Sequence, residues 1–265
     1  MGVAEHNYIG ATTSWVDFGE GTRAFLAMPK AGGGPFPAVI LGHERYGLAQ
    51  HTLDLTAKFG SYGYACVAPD MTSHWDGDKE ALARGELFMV LPDDEIANYY
   101  SLSLDYLLDH PQVDHNRIAA MGVCQSGGYP LLANRVRGEI KANIVVYGGT
   151  RTDEAVIAAC NAPVLGIFGE ADSSFSVEEV DGLRAMLQRN NKNYDFKMYA
   201  GMPHGWFNDT MPGRYRQRGA EEAWLQIIHF MEAVYAEAYP PDRIRWRWES
   251  EISTSYDFST NVRLA

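Results

Sequence analysis

The 265-residue sequence has few cysteines, no excess of positive charge and no long hydrophobic run. Three cysteines, Cys66, Cys124 and Cys160, form no disulfide framework, because their number is odd and their spacing irregular. With 22 Lys and Arg against 34 Asp and Glu, the formal net charge is −12, which argues against a nucleic acid or an anionic membrane as partner. No segment has the apolar length of a signal peptide or a membrane span. We therefore expect a cytoplasmic protein without nucleic-acid or membrane partners.

Short apolar runs alternate along the chain with segments of helical periodicity. They predict strands over 22–29, 38–44, 64–70, 117–123, 142–149, 163–172 and 195–201. Helices are predicted over 49–63, 98–111, 176–190 and 217–237, with one more starting at 127 and another within 72–98. Strands that alternate with helices build a mostly parallel sheet with helices on both faces. The pattern predicts a three-layer α/β domain over residues 1–237.

The C-terminal segment, residues 238–265, has a different pattern. In "RIRWRWES" (243–250), arginine alternates with Ile244, Trp246 and Trp248, a period of two that suits an extended segment with one apolar edge. Two consecutive prolines, Pro240 and Pro241, separate it from the preceding helix. We expect this extension to pack on the core, or alternatively on a second subunit in a homodimer.

The stretch "MGVCQSGGYP" (121–130) places Cys124 and Ser126 in a glycine-rich turn between a predicted strand and a predicted helix. Small residues on both sides are what a nucleophile at such a sharp turn requires, because its backbone is strained and other main chain passes close by. The strand ends naturally at Gly122, which puts Cys124 at the tip. A frame with Ser126 at the tip needs a longer strand and stays an alternative. The following helix would favour the anionic form of the thiol.

Two further polar residues follow predicted strands. Asp172 ends "PVLGIFGEAD", and His204 lies in the loop of "KMYAGMPHGWFND". The carboxyl ends of parallel strands lie along one rim, so these loops can converge with that of Cys124. The order nucleophile, acid, histidine is similar to that of the α/β-hydrolases. His204 would move the proton of Cys124, and Asp172 would fix the histidine tautomer.

The segment "ILGHERYGLAQHT" adds Glu44 and Arg45 directly after the buried part of a predicted strand, residues 38–43. The backbone N–H of Arg45, with that of Gln125, would stabilise a tetrahedral oxyanion. Beside the thiol, Glu44 could accept its proton or keep it neutral until substrate arrives. The alternative is that Glu44 forms a salt bridge in the neighbourhood of Arg45.

Together these motifs resemble the dienelactone hydrolase family, also described as carboxymethylenebutenolidases, in the α/β-hydrolase superfamily. The similarity runs from "FLAMPKAGGGPFPAVILGHERYG" through "YACVAPD", "GVCQSGG" and "GIFGEAD" to "YAGMPHGWF". It implies the three-layer α/β-hydrolase fold, a Cys124–Asp172–His204 triad, Glu44 coupled to the thiol, and a small ester or lactone as substrate. It implies no metal and no organic cofactor.

The chain departs from the family pattern in its arginines. The best-known members bind a substrate carboxylate with two arginines, one after the "PD" strand and one shortly after the histidine. Neither "PDMTSHWDGD" nor "HGWFND" contains one, and Arg84, Arg214 and Arg216 are neighbours in sequence only. Aromatic residues near the expected rim predict a less charged substrate pocket, formed by Tyr46, Trp75, Trp206 and Phe207.

The sequence thus predicts a hydrolase that cleaves a carboxylic ester or lactone through a cysteine acyl-enzyme. One alternative is a serine-type esterase that uses Ser126. Another is a hydrolase-fold protein without turnover, which binds a ligand or senses oxidation through Cys124.

Overall fold

A computed structural model describes residues 8–149 and 153–237, and the backbone of residues 244–249. The strands are β1 (Ala11–Asp17), β2 (Arg23–Pro29), β3 (Phe36–Gly42), β4 (Ala65–Pro69), β5 (Val113–Val123), β6 (Ala142–Val146), β7 (Val164–Gly169), β8 (Tyr194–Tyr199) and β9 (Ile244–Glu249). The helices are α1 (Gln50–Ser61), α2 (Lys79–Ala83), α3 (Asp93–Asp109), α4 (Tyr129–Val136), α5 (Glu154–Ala159), α6 (Val177–Arg189) and α7 (Gln217–Tyr235). A single 3₁₀ turn, Cys124–Ser126, joins β5 to the segment before α4.

All the described strands belong to one sheet in the order β1-β2-β4-β3-β5-β6-β7-β8-β9. The pairings β1–β2 and β2–β4 are antiparallel, and those from β4 to β9 are parallel. The apolar run of β3 explains its central place, since Val39, Ile40 and Leu41 are fully buried and a strand covered on both faces cannot carry polar side chains there.

Helices cover both faces of this sheet. One buried cluster joins residues of α3, α4, α5 and α6 to one face, for example Leu104, Leu131 and Leu183. The other joins α1 and α7 to the opposite face, with Phe59 and Trp224 in contact at a ring-centroid distance of 4.7 Å. The predicted three-layer α/β architecture with a mostly parallel sheet is therefore confirmed.

Several elements differ from the predicted ones. Strand β1 and helix α5 were not predicted; β1 pairs at the edge of the sheet, where half of its side chains face solvent and its apolar signal is weak. Helix α3 begins at Asp93, five residues before the predicted start. Its first turn carries Asp93, Asp94 and Glu95, and acidic side chains stabilise a helix N-terminus.

The C-terminal segment adds one parallel strand, since β9 pairs with β8 from Tyr194↔Ile244 to Tyr199↔Glu249. This agrees with the extended conformation expected for 243–250. The rest of the predicted extension over 238–265 lies outside the described residues, as do residues 1–7. The boundary at 237 and the packing of the extension on the core or a second subunit therefore stay predictions.

Candidate active site

Five consecutive loops meet at the carboxyl edge of the parallel strands. Glu44 follows β3, Cys124 follows β5, Tyr147 follows β6 and Asp172 follows β7, and the loop after β8 carries His204. Because β3, β5, β6, β7 and β8 are neighbours and parallel, all five loops leave the sheet at the same edge. Residues far apart in sequence are thus brought together by topology alone.

The turn after β5 is held by close packing of small residues. Cys124 has φ 58°, in the left-handed region that non-glycine residues rarely occupy. A side chain at Gly122 would place its Cβ 1.9 Å from the carbonyl oxygen of Ser126, and one at Gly127 would lie 2.2 Å from Gly148 Cα. Only glycine fits at these positions, so the glycines noted in the sequence are what allows the sharp turn.

Ser126 closes this turn. Its side chain is fully buried, and its Oγ accepts a hydrogen bond from Val123 N at 2.9 Å and donates one to Val123 O at 3.0 Å. The hydroxyl is therefore engaged in hydrogen bonds with the backbone of Val123, the last residue of β5. Cys124, by contrast, lines the cavity at the sheet edge.

Cys124, His204 and Asp172 form a hydrogen-bonded chain. The Sγ of Cys124 lies 3.1 Å from His204 Nε2, and Nδ1 of the same ring lies 2.9 Å from Asp172 Oδ2. The other carboxylate oxygen, Oδ1, accepts the backbone N–H groups of Ser174 and Phe175 at 2.7 and 3.0 Å. With both oxygens engaged, Asp172 holds the imidazole ring in one orientation, as a tautomer-fixing carboxylate must.

The charge state of His204 follows from these contacts. Burial alone would lower the pKa of His204, but the hydrogen bonds to Asp172 and Cys124 and the negative charges of both raise it to about 10. The raised pKa favours the protonated form of the His204 imidazole.

Glu44 is buried in a second hydrogen-bonding network. Its Oε2 lies 3.0 Å from His51 Nδ1 and accepts Asn208 Nδ2 at 2.6 Å, and its Oε1 accepts the Tyr147 hydroxyl at 3.5 Å. Within residues 8–149 and 153–237, Cys124 is not among the hydrogen-bond partners of this carboxylate. Glu44 thus lines the same cavity as the thiol, but its ion-pair partner is His51.

The charge of Glu44 depends on this network. Burial alone would raise the pKa of Glu44. The charge and hydrogen bond of His51, the charge of His204 and the hydrogen bond from Asn208 outweigh burial and bring the pKa below its ordinary value. Glu44 is therefore an ionised carboxylate in the protein interior, a state that needs such partners.

A cavity of about 370 Å³ opens in front of Cys124. Besides His204 and Glu44, its walls are formed by Arg45, Tyr46, Phe88, Gln125, Ser174, Phe175, Gly205, Met211 and Arg214. The predicted oxyanion-hole residues Arg45 and Gln125 thus line the same cavity as Cys124, and Tyr46 lies where an aromatic wall was expected. The Gln125 side chain donates a hydrogen bond to Met89 O, which ties the turn to the loop after α2.

The other predicted aromatic residues lie elsewhere. Trp206 has 0% exposure and packs between Tyr147 and Tyr199, because a ring this large fills the core beneath the edge. Phe207 faces His51, and Trp75 packs against the core on the other side of the sheet. The expectation that Trp75, Trp206 and Phe207 form the cavity wall is therefore wrong, and Phe88, Phe175 and Met211 take that place.

The expectation of a less charged pocket is also wrong, because two arginines line the cavity. The Arg214 guanidinium donates to His204 O at 3.4 Å, and that of Arg45 donates to Gly85 O and Leu87 O at 3.4 and 3.3 Å. Within the described ranges neither is paired with a carboxylate. The chain turns back after His204 and brings Arg214 to the cavity, so the expectation that Arg214 is a neighbour in sequence only is wrong.

Besides Phe88, Phe175 and Met211, sequence reasoning missed the three hydrogen-bond partners of Glu44. His51 lies on α1, Tyr147 follows β6, and Asn208 lies in the loop after β8. No local motif marks any of them, and only the meeting of their loops at Glu44 shows their role. Neither a cluster of three or more metal-ligating side chains nor a helix of membrane-spanning length and hydropathy is found in the part of the chain that the structure describes.

Comparison with known proteins agrees with this architecture. The model of the dienelactone hydrolase family matches residues 22–235. A protein of Methylorubrum extorquens, provisionally named carboxymethylenebutenolidase, is 27% identical over 218 residues, 77% of this chain and 74% of that protein. One with the same provisional name from Escherichia coli K12 is 25% identical over 241 residues, 84% of this chain and 87% of its own.

A crystal structure from Klebsiella pneumoniae, provisionally described as a dienelactone hydrolase, superimposes with a TM-score of 0.76 at 24% identity, over 84% of this chain and 98% of that one. It shows the shared α/β-hydrolase fold. Because the family model covers most of the chain, including every loop of the site described above, the chain belongs to the dienelactone hydrolase family and is a hydrolase of lactones or esters.

Proposed function

We propose that the protein hydrolyses a carboxylic ester or lactone through a thioester intermediate on Cys124. The observation that carries this proposal is the contact of Cys124 Sγ with His204 Nε2 at 3.1 Å, backed by Asp172. Ser126 is the weaker candidate, because its hydroxyl is bound to Val123 and buried.

In the first half-reaction the Cys124 thiolate attacks the carbonyl carbon, and the carbonyl electron pair moves onto oxygen. The backbone N–H groups of Arg45 and Gln125 stabilise this oxyanion. When it collapses, the C–O bond breaks and His204 gives its proton to the leaving oxygen. In the second half-reaction His204 takes a proton from water, the hydroxide attacks the thioester, and the thiolate leaves with release of the acid.

The two arginines of the cavity favour a substrate with a negative charge near its acyl group. Arg45 and Arg214 line the same cavity as Cys124 and have no carboxylate partner among the described residues. A guanidinium inside a cavity is well suited to bind a carboxylate by charge-assisted hydrogen bonds. We therefore extend the proposal to esters or lactones that carry a carboxylate.

The alternative of a thiol sensor has less support. A reversible sensor works best with a second cysteine close to the first. Cys66 and Cys160 are both buried, and burial raises the pKa of the Cys160 thiol to about 11, which leaves it unreactive. An aligned His204–Asp172 pair also has no function in oxidation sensing.

Intact-protein mass spectrometry during turnover of p-nitrophenyl acetate tests the nucleophile. We expect an acetyl adduct on the wild type and on Ser126→Ala, and neither adduct nor turnover with Cys124→Ala. Loss of both only with Ser126→Ala would move the nucleophile to the serine. If the wild type shows neither adduct nor turnover, the experiment is repeated with an ester that carries a carboxylate. A negative result there as well would favour the alternative of a hydrolase-fold protein that does not catalyse a reaction.

A further inference from the structure

Residues 84–92, between α2 and α3, form a loop that contributes to the wall of the cavity at Cys124, and we call it the cover loop. Within four positions it exposes three large apolar side chains, Leu87 at 40%, Phe88 at 55% and Val90 at 60%. Of these three, Phe88 lines the cavity. Exposed apolar side chains that cluster beside a cavity are typical of a surface that binds a ligand.

The exposed side chains stand on a firmly anchored backbone. Met89 and Leu91 alternate with them, are buried, and pack in the same core cluster as Leu82 of α2. The start of the loop is bonded to the helix, since Gly85 N donates to Leu82 O at 2.9 Å. The exposure of Phe88 is therefore a property of an ordered loop, whose pattern buries every second side chain around it.

Arg45 holds the cover loop from one side of Phe88. Its Nη2 donates hydrogen bonds to Gly85 O at 3.4 Å and to Leu87 O at 3.3 Å. Its guanidinium also lies over two rings, with Cζ 5.1 Å from the ring centroid of Phe88 and 5.7 Å from that of Tyr46. A cation at such a distance is attracted to an aromatic face. Arg45 thus holds both the backbone next to Phe88 and the ring itself.

Gln125 holds the loop from the other side of Phe88. Its Nε2 donates a hydrogen bond to Met89 O, and Gln125 directly follows Cys124 in the turn after β5. The carbonyl groups on both sides of Phe88, those of Leu87 and Met89, are therefore bonded to side chains that line the cavity. The position of the Phe88 ring is thereby tied to the reaction centre.

We propose that Phe88 determines substrate specificity by binding an apolar group of the ester or lactone, and that Arg45 and Gln125 are positioning residues that hold the cover loop around this ring. The inference rests on the proposed function and adds an alkyl or aryl group to the substrate. A carboxylate and an apolar group on one substrate match a cavity that is lined by both Arg214 and Phe88. Because the loop contacts of Arg45 use Nη2 alone, they do not exclude its interaction with a carboxylate.

The experiment compares kcat/KM for neutral esters that differ only in chain length, so that the charge of Arg45 is not what is measured. The pair p-nitrophenyl acetate and p-nitrophenyl hexanoate varies the acyl side. The pair methyl acetate and hexyl acetate, followed by proton release, varies the alcohol side. Circular dichroism and light scattering report the fold and the mass of each variant.

Four variants are compared with the wild type. Phe88→Ala removes the ring, whereas Gln125→Met and Arg45→Met keep a long side chain and remove the donors to the cover loop. Val90→Ala is the matched control, because Val90 is exposed on the same loop and does not belong to the cavity wall. If Arg45→Met does not fold, Gln125→Met carries the test of positioning.

We expect the wild type to favour the longer ester of at least one pair by about tenfold, the effect of burying about two methylene groups. Phe88→Ala should bring this ratio close to one. Gln125→Met and Arg45→Met should lower it by about threefold, the smaller effect of losing a hydrogen bond to the loop. Val90→Ala should keep the wild-type ratio. The ratio is decisive because general damage to the site lowers kcat/KM for both esters of a pair alike.

A wild type that hydrolyses the esters of each pair without preference, or hydrolyses only esters that carry a carboxylate, would overturn this inference alone. So would an unchanged ratio in Phe88→Ala, and a change of mass in that variant would then assign the exposed side chains to a contact between copies of the chain. Equal losses for both esters in Gln125→Met and Arg45→Met would overturn their positioning role. A wild type that hydrolyses no ester would overturn the inference together with the proposed function.

Discussion

Two carboxylate–imidazole pairs lie at one edge of the sheet, Asp172–His204 and Glu44–His51. Each joins a buried carboxylate to Nδ1 of a histidine, at 2.9 and 3.0 Å. They differ at the other ring nitrogen and its surroundings. His204 Nε2 meets the sulfur of Cys124, whereas His51 borders a cavity of about 90 Å³ that contains no cysteine.

This difference shows that a buried carboxylate–imidazole pair does not by itself identify a catalytic histidine. Asp172 and His204 follow β7 and β8, close to the turn after β5, so the ring points at the nucleophile. His51 is carried by α1, in the helix layer beside the sheet, and its Nδ1 meets the carboxylate of Glu44. A buried ionised carboxylate needs such a partner whether or not it takes part in chemistry.

The largest expected effect is a difference in catalytic activity between variants of the two carboxylates, Asp172 and Glu44. Asp172→Asn should lower kcat/KM for an ester by about 10³-fold or more. Without the carboxylate, His204 is no longer held in the required tautomer, and its protonated form loses the stabilising negative charge. Glu44→Gln should lower it by only about tenfold, or about 1.4 kcal/mol, because it leaves the contacts of His204 with Cys124 and Asp172 in place. Steady-state kinetics at a fixed pH near 7 measures both, with exposed His115, changed to Leu, as control. Equal losses would mean that Glu44 acts on the reacting atoms directly.

The next effect concerns stability and pH. The folded protein raises the pKa of His204 from its ordinary value of 6.5 to about 10, so its contribution to the free energy of unfolding is full below pH 6.5 and is lost as the pH rises through 10. Asp172→Asn should therefore destabilise the protein by on the order of 1–3 kcal/mol at pH 6, and by less at pH 10. Urea unfolding at both pH values measures this. A destabilisation that is independent of pH would argue against a charged His204–Asp172 pair.

A smaller effect distinguishes the cavities that the two pairs face, since among the described residues only the cavity at Cys124 is lined by arginines, and neither arginine has a carboxylate partner. Arg214→Ala should raise KM about tenfold for an ester that carries a carboxylate, the loss of one charged hydrogen bond. KM for a matched neutral ester should not change. Arg216→Ala, two residues along and outside the cavity wall, is the control. A rise for both esters would assign Arg214 a structural role through His204 O.

The smallest expected effect comes from Ser126, whose hydrogen bonds to Val123 hold the turn that places the Cys124 sulfur near His204. Ser126→Ala removes both bonds of the hydroxyl to Val123 and should lower the free energy of unfolding by about 1 kcal/mol. Turnover should stay within about threefold of the wild type, because glycine packing still fixes the turn. Thermal unfolding together with kinetics measures both quantities. Complete loss of activity in a stably folded Ser126→Ala variant would contradict the assignment of Cys124.

Most of the architecture could be predicted because a short run of apolar residues indicates directly that a strand is buried. The central strands were found within a few residues of their bounds, whereas β1 was missed because it is an edge strand of mixed polarity. For the site, the convergence of Cys124, Asp172 and His204 could be expected from motif order and strand ends. The residues of the cavity wall could not be predicted, since an aromatic side chain such as Trp206 is as well suited to the hydrophobic core as to a substrate pocket.

The sequence by itself determined the α/β layers, the glycine-lined turn at Cys124 and the loops that carry its partners, because burial periodicity and small residues at a sharp turn are local properties. Only the tertiary structure decided that Arg214 and not Trp206 faces the cavity, and that Glu44 pairs with His51 and Asn208 rather than with the thiol. Side-chain partners across 7 and 164 positions depend on where separate loops meet in space, and no pattern within a single segment carries that information.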